Sequence, residues 1–127
     1  MKSEILNKDM GVILFAHGSR DPLWKRPIEA VAERMSEMQP QLRVCCAYLE
    51  LTAPDLATAA QSLILAGLSQ IRIVPMFLGI GRHAREDLPL LVDQLRAAHP
   101  QINFNLLPSI GEDARLINQI AQIAIDL

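Results

Sequence analysis

The stretch GVILFA, residues 11–16, decides the fold of this 127-residue chain. It is apolar from end to end, which is typical of a strand covered on both faces of a parallel sheet. The run IRIVPMFL, residues 71–78, has nearly the same character. Two such strands predict a sheet that lies between two layers of helices.

Two more β-prone runs, LRVCCAYL (42–49) and INFNLL (102–107), complete a set of four. A segment with helical spacing follows each strand, at residues 27–38, 55–67, 86–99 and 113–127. Strands separated by single helices pair in parallel through right-handed crossovers. We therefore expect an α/β fold, a three-layer open sandwich with a four-stranded parallel sheet in the order 2-1-3-4. Residues 1–127 are predicted to form one domain, with residues 1–10 as an N-terminal extension.

Local signals support these helix boundaries and the strand at 42–49. Pro27 suits a first helical turn, Gly67 is a predicted C-terminal cap, and TAPD (52–55) offers threonine or aspartate as an N-terminal cap. The adjacent Cys45 and Cys46 point to opposite faces of a strand, which predicts buried free thiols rather than a shared metal site.

Composition excludes several broad classes of function. Half of the residues are apolar and a fifth are charged, which indicates a packed core rather than disorder. The net charge of −2 argues against a general binder of nucleic acid or of anionic membranes. The sequence has no long apolar span and no signal-peptide pattern, so we expect a cytoplasmic protein.

Chemically active side chains follow three of the predicted strands. His17 follows the first strand, Glu50 the second and His83 the third. In open parallel sheets, ligands bind beyond the carboxyl ends of the strands, where the strand order reverses. Two imidazoles and a carboxylate suit a divalent transition metal, and imidazole also accepts protons near neutral pH.

Each of these residues has a structural alternative that the sequence leaves open. His17 could cap the following helix or bond a backbone carbonyl. His83, in a glycine-flanked loop, could be a surface residue, and Glu50 could be an exposed carboxylate at a strand end. His99 is predicted at a helix end on the opposite side of the sheet, outside the site.

Basic residues gather in the same two loops as the histidines. Arg20 follows the first strand, and Arg82 and Arg85 follow the third. Guanidinium groups bind carboxylates in a fork geometry, so these arginines, with Ser19 beside them, predict a polycarboxylate substrate. The alternative is a solvated basic rim without a specific partner.

Nucleotide-binding signatures are missing from both glycine-containing loops. GIGRHA lacks the third glycine of a dinucleotide fingerprint, and HGSRD is not a Walker loop. We therefore expect no organic cofactor and no use of ATP. A phosphate-binding, flavodoxin-like module at the HGSRD turn is a further alternative, which the missing signatures disfavour.

Three segments, HGSRDPLW, LELTAPDL and RIVPMFLGIGRHAREDLPLL, closely resemble the half-length form of the sirohydrochlorin metal chelatases, the cobaltochelatase and ferrochelatase group. The similarity runs from about Gly11 to about Gly111. The H-G-S-R segment after one strand and the G-x-x-H-x-x-x-D-[IL]-P segment after another are specific in combination. Ala84 stands where many relatives have valine, which affects no chemical group.

The resemblance implies a class II chelatase, a lyase that inserts a divalent metal into a tetrapyrrole polycarboxylate without ATP. Cobalt is the first expectation, with iron or nickel as alternatives, in cobalamin or siroheme biosynthesis. His17 and His83 match the family's two active-site histidines, and Glu50 matches a glutamate that serves as a metal ligand. Longer relatives contain two such α/β halves, which implies a homodimer here. The alternative function is a non-catalytic carrier of metal or tetrapyrrole.

Overall fold

The computed structural model describes residues 10–126, in which strands and helices alternate. The strands are β1 (Met10–Ala16), β2 (Arg43–Tyr48), β3 (Gln70–Pro75) and β4 (Asn103–Leu106). The helices are α1 (Arg26–Met38), α2 (Leu56–Leu65), α3 (Arg82–Ala98) and α4 (Ala114–Asp126), and a 3-10 turn lies at Ile110–Glu112. The expected N-terminal extension lies outside the described residues except for Met10, which begins β1.

The sheet is parallel throughout and has the predicted order β2-β1-β3-β4. Phe15 of β1 lies opposite Ala47 of β2 and Pro75 of β3. The carboxyl ends of three strands therefore meet at one edge of the sheet. The strand order reverses between β1 and β3, and this is the place where open α/β sheets bind ligands.

The larger core lies between the sheet and the helices α2 and α3. Its strand residues include Ile13, Phe15, Ile73 and Phe104, all almost fully buried. Truncating a buried phenylalanine such as Phe15 to alanine typically costs about 3–5 kcal/mol. This face therefore carries much of the stability that fixes the strand ends.

The opposite face of the sheet has a smaller core. Val12, Leu14 and Val74 pack there, with Ile28 and other residues of α1 against them. The C-terminal helix α4 contacts chiefly the 3-10 turn rather than the sheet, and none of its described side chains is buried. This face is thus less completely covered than the other.

Helix α3 begins at Arg82, four residues before its predicted start at residue 86. Gly81 has an extended backbone and serves as the N-cap, so the segment RHA forms the first turn. His83 is therefore a helical residue and not a loop residue, which corrects the sequence-based assignment. The helix also continues through Pro89, whose missing N–H removes one internal hydrogen bond.

The local capping predictions are confirmed. Pro27 lies in the first turn of α1, and the Asp55 carboxylate accepts a hydrogen bond from the Thr58 N–H (2.8 Å) at the start of α2. Gly67 follows α2 with a positive φ of 92°. His99 caps the end of α3, away from the strand ends that carry His17.

The two cysteines are free thiols and are half-buried rather than fully buried. Cys45 packs on the larger core and Cys46 on the smaller one, as their opposite orientation predicts. Burial raises the pKa of the Cys45 thiol to about 11, and the neighbouring Cys46 adds to the effect. Burial also raises the pKa of Cys46, so both thiols are protonated at neutral pH. In residues 10–126, no helix combines the length and the apolar character needed to cross a membrane.

Candidate active site

The loops that leave β1 and β2 are bonded to each other along their backbones. The Leu49 N–H donates to the carbonyl of Ala16 (2.9 Å), and the Glu50 N–H donates to that of His17 (3.1 Å). These bonds extend the parallel pairing past the ends of the strands. They fix the backbone of Glu50 beside that of His17.

His17 and Glu50 also approach each other through their side chains. The distance from His17 Nε2 to Glu50 Oε1 is 3.4 Å, and the two side chains are 51% and 54% exposed. An imidazole and a carboxylate that are close together and open to solvent can bind a metal ion or exchange a proton with a substrate. The structure thus brings together two of the three predicted ligands.

Gly18 is required by this arrangement for two reasons. Its φ is +102°, a region that favours glycine, and a Cβ here would overlap the backbone carbonyl of Glu50. The glycine therefore lets the two loops touch directly behind the His17 and Glu50 side chains.

A side chain that the sequence analysis did not assign to the site also joins the loops. The Ser19 N–H donates to Thr52 Oγ1 (3.0 Å), and the Thr52 hydroxyl donates to the Ser19 carbonyl (2.7 Å). The sequence offered Thr52 only as a possible helix cap, and the helix is capped by Asp55 instead. No local pattern reveals Thr52, because its partner is 33 positions away.

His83 enters from the other side of the strand-order reversal. Beyond β3, the Met76 N–H still donates to the Phe15 carbonyl (2.7 Å), so this loop also starts beside β1. The chain then reaches His83 in the exposed first turn of α3. Free backbone N–H groups and the positive end of the dipole at this turn favour an anionic ligand.

The three predicted ligands do not form one preassembled metal site. Within residues 10–126, no group of three or more His, Cys, Asp or Glu side chains has the arrangement needed to hold a metal ion. His17 and Glu50 form a close pair, whereas His83 lies on a separate element.

The predicted substrate-binding residues are exposed or partly exposed at the same edge of the sheet. Arg82 pairs with Glu86 through a bond of 3.1 Å, one turn further along α3. Arg20 and Arg85 are exposed. The Ser19 hydroxyl accepts a hydrogen bond from the Asp21 N–H (3.1 Å), so Ser19 also shapes its own loop.

An apolar rim accompanies these polar groups. Leu51, next to Glu50, is 54% exposed, and Leu78, in the loop after β3, is 70% exposed. Gly111 lies directly against the backbone of Leu78, and its N–H donates to the Phe77 carbonyl (3.0 Å). The segment after β4 thereby supports the loop that leads to His83, a contact that the sequence did not reveal.

The fold is a doubly wound α/β domain with an imidazole–carboxylate pair at its strand ends. The chain belongs to the CbiX family, whose model matches residues 11–126. The family predicted from the three sequence segments is therefore confirmed.

Similar proteins with curated names agree with this family. The chain is 28% identical over 113 residues to the sirohydrochlorin cobaltochelatase of Saccharolobus solfataricus, covering 84% of this chain and 87% of that protein. It is 32% identical over 83 residues to the sirohydrochlorin cobaltochelatase of Methanopyrus kandleri. That match covers 65% of this chain and 58% of the relative.

Solved structures show the same fold. The CbiX protein of Marinobacter aquaeolei is 34% identical, with a TM-score of 0.79 over 92% of this chain and 95% of that one. The sirohydrochlorin chelatase SirB of Bacillus subtilis subspecies spizizenii, in complex with cobalt, has a TM-score of 0.78 at 22% identity. The match covers 94% of this chain but 51% of the SirB chain. It therefore spans about half the length of SirB.

Proposed function

We propose that this protein inserts a divalent metal ion, cobalt first, into sirohydrochlorin without ATP. The observation that carries the proposal is the His17–Glu50 pair, 3.4 Å apart at the strand-order reversal of a CbiX-family domain. The names of the curated relatives supply the tetrapyrrole and the metal. Iron and nickel are alternative metals, because imidazole and carboxylate accept several late transition metals.

The reaction exchanges two protons for one metal ion. The metal ion must lose water, and two pyrrole nitrogens of the macrocycle must each lose a proton before both bind the metal. Neutral His17 and His83 are assigned to accept these protons or to hold the metal as it passes to the ring. A weak and incomplete ligand set suits delivery, because a complete set would retain the metal.

Glu50 is assigned as the third metal ligand, beside His17. Its carboxylate adds negative charge at the proposed binding position of the divalent metal. As a hard oxygen ligand, it can be exchanged for the softer ring nitrogens during transfer. The backbone bonds between the two loops keep this carboxylate near the imidazole.

Binding of the tetrapyrrole is assigned to the surrounding loops. Arg20, Arg82 and Arg85 are proposed to pair with its carboxylates, and the positive end of the α3 dipole would attract the same charges. Ser19 contributes a hydroxyl at the edge of the site. The exposed Leu51 and Leu78 offer apolar contacts to the flat macrocycle.

The active form is proposed to be a homodimer, because the chain spans about half of SirB. Helix α4 supplies a surface for the second copy. One face carries Leu116, Ile117, Ile120 and Ile123 at helical spacing, and the last three side chains are 53%, 39% and 52% exposed. This stripe spans about 10 Å along the helix axis. Within residues 10–126, α4 contacts chiefly the 3-10 turn rather than the sheet, and exposed apolar patches of this kind mark interaction sites. The free thiols fit a reducing compartment, and we place the protein in the cytoplasm.

Turnover tests the chemistry. Sirohydrochlorin and Co²⁺ are supplied anaerobically in large excess over the protein, and insertion is followed by the absorbance change of the macrocycle. The wild type is expected to convert many equivalents, and the double variant His17→Ala/His83→Ala is expected to fall to the uncatalysed rate while it keeps its melting temperature. Conversion of one equivalent or less would instead indicate a carrier, and full activity of the double variant would refute the site.

Solution mass tests the dimer. The wild type is expected near twice the chain mass of 14.1 kDa by light scattering. Ile120→Asp places a charge in the apolar stripe and should yield monomers. Ile125→Asp is the matched control, since Ile125 is 82% exposed on the other face of α4 and should leave the dimer intact. A monomeric wild type would exclude this assembly.

A further inference from the structure

Thr52 uses both hydrogen-bonding functions of its hydroxyl on the backbone of Ser19. Oγ1 accepts from the Ser19 N–H at 3.0 Å and donates to the Ser19 carbonyl at 2.7 Å. The contact is partly buried and joins segments 33 residues apart. Two bonds from one hydroxyl to one residue fix the distance and the direction between the two loops.

The segment that Thr52 holds has an unfavourable backbone conformation. Leu51 has a φ of +65°, and the Thr52 N–H donates to the Glu50 carbonyl two residues before it (2.8 Å). A bulky residue in this region is strained and persists only where the surroundings impose it. The Glu50 carbonyl is also the group that Gly18 contacts. The tight turn therefore carries Glu50 toward the His17 loop.

We infer that Thr52 is a positioning residue for metal insertion. By tying the turn at residues 50–52 to Ser19, it holds Glu50 Oε1 within 3.4 Å of His17 Nε2. The inference rests on the proposed function for the identity of the reaction. Thr52 acts through His17 and Glu50, because its own hydrogen bonds go to the backbone of Ser19.

Helix capping does not explain the position of Thr52. Asp55 caps α2, and its carboxylate accepts from the Thr58 N–H at 2.8 Å. The Thr52 hydroxyl is directed to the neighbouring loop instead. Thr52 therefore stabilises the position of the Glu50 loop relative to the His17 loop.

The test compares Thr52→Val, which keeps the branched shape but loses the hydroxyl, with Thr52→Ser, which keeps the hydroxyl. Thr58→Val is the matched control, because it removes a threonine hydroxyl that bonds the Asp55 cap rather than the His17 loop. For each protein, we would measure kcat and KM for sirohydrochlorin, the affinity for Co²⁺ without tetrapyrrole, and the melting temperature. Assays run below the melting transition of the least stable variant, and Thr52→Ala replaces the valine variant if that does not fold.

Thr52→Val is expected to lower Co²⁺ affinity and kcat by about 10–100-fold, as loss of a group that orients a metal ligand typically does. Thr52→Ser should restore both within about threefold, and Thr58→Val should change only the melting temperature. Wild-type affinity and kcat in Thr52→Val, or equal defects in the valine and serine variants, would overturn the inference. If the wild type itself inserts no metal, the proposed function fails, and the Co²⁺ affinities alone decide the role of Thr52.

Discussion

The two histidines of the candidate site are held in different ways. His17 lies in a loop that is bonded to a second loop through backbone groups and through Thr52. His83 lies in the first turn of a 17-residue helix, and within residues 10–126 no hydrogen bond or ion pair is observed for its side chain. The position of His17 depends on contacts between loops that follow neighbouring strands. The position of His83 depends on the helix in which it lies.

We propose that this difference separates two tasks of metal insertion. The backbones of His17 and Glu50 are bonded to each other, which suits a pair of groups that first receives the metal ion. His83 has a fixed backbone and a solvent-exposed side chain, which suits a group that meets the tetrapyrrole. The comparison predicts that substitutions around His17 strongly lower stability or activity, and that equivalent substitutions around His83 have small effects.

The largest effect is expected from the glycine near each histidine, Gly18 beside His17 and Gly81 two residues before His83. Gly18→Ala forces a Cβ onto the Glu50 carbonyl at a positive φ, and it should lower the free energy of unfolding by about 3 kcal/mol or more. Gly81→Ala meets open space at the N-cap of α3 and should cost less than about 1 kcal/mol. Urea denaturation measures both, and equal losses would contradict the comparison.

A smaller effect is expected from the two nearby glutamates, Glu50 beside His17 and Glu86 in the same helix as His83. Glu50→Gln removes the charge beside His17 and should lower the rate of Co²⁺ insertion by about 10–100-fold. Glu86→Gln breaks the exposed pair with Arg82 and should change the rate by less than about fivefold. Steady-state kinetics measure both variants. A stronger defect in Glu86→Gln would place the metal on the α3 side instead.

The smallest effect concerns the strand that leads to Glu50. The pKa of Cys45 is raised to about 11 in the folded chain, so the unfolded chain loses this proton first as the pH rises. Stability conferred by the protonated thiol is therefore complete below pH 9 and declines between about 9 and 11. Cys45→Ala should flatten the decline in urea midpoint over this window.

Tyr48→Phe is the comparison variant for that experiment. Burial raises the pKa of Tyr48 to about 12, so its contribution has the same sign but falls at higher pH. If the urea midpoint of Cys45→Ala declines with pH as steeply as that of the wild type, the Cys45 thiol does not govern alkaline stability.

Much of the site could be predicted because its parts follow directly from strand ends. Residues 11–16 and 71–78 are apolar throughout, which predicts buried parallel strands, and the side chains just beyond them are then placed by topology. The same reasoning predicted that Glu50 would lie near His17, and their 3.4 Å separation agrees. The start of α3 was misplaced because GRHA contains no side-chain cap, and the extended backbone of Gly81 begins the helix instead.

The sequence by itself determined the parallel α/β fold through its local apolar runs and the family through its short motifs. Only the tertiary structure decided which groups touch. Thr52 reaches Ser19 across 33 positions, Gly18 meets the Glu50 carbonyl, and Gly111 supports Leu78. The physical reason is that hydrogen bonds and close backbone contacts between distant loops have no periodicity along the chain. The same holds for α4. Its amphipathic spacing can be read from the local sequence, but its position away from the sheet is set by the tertiary structure.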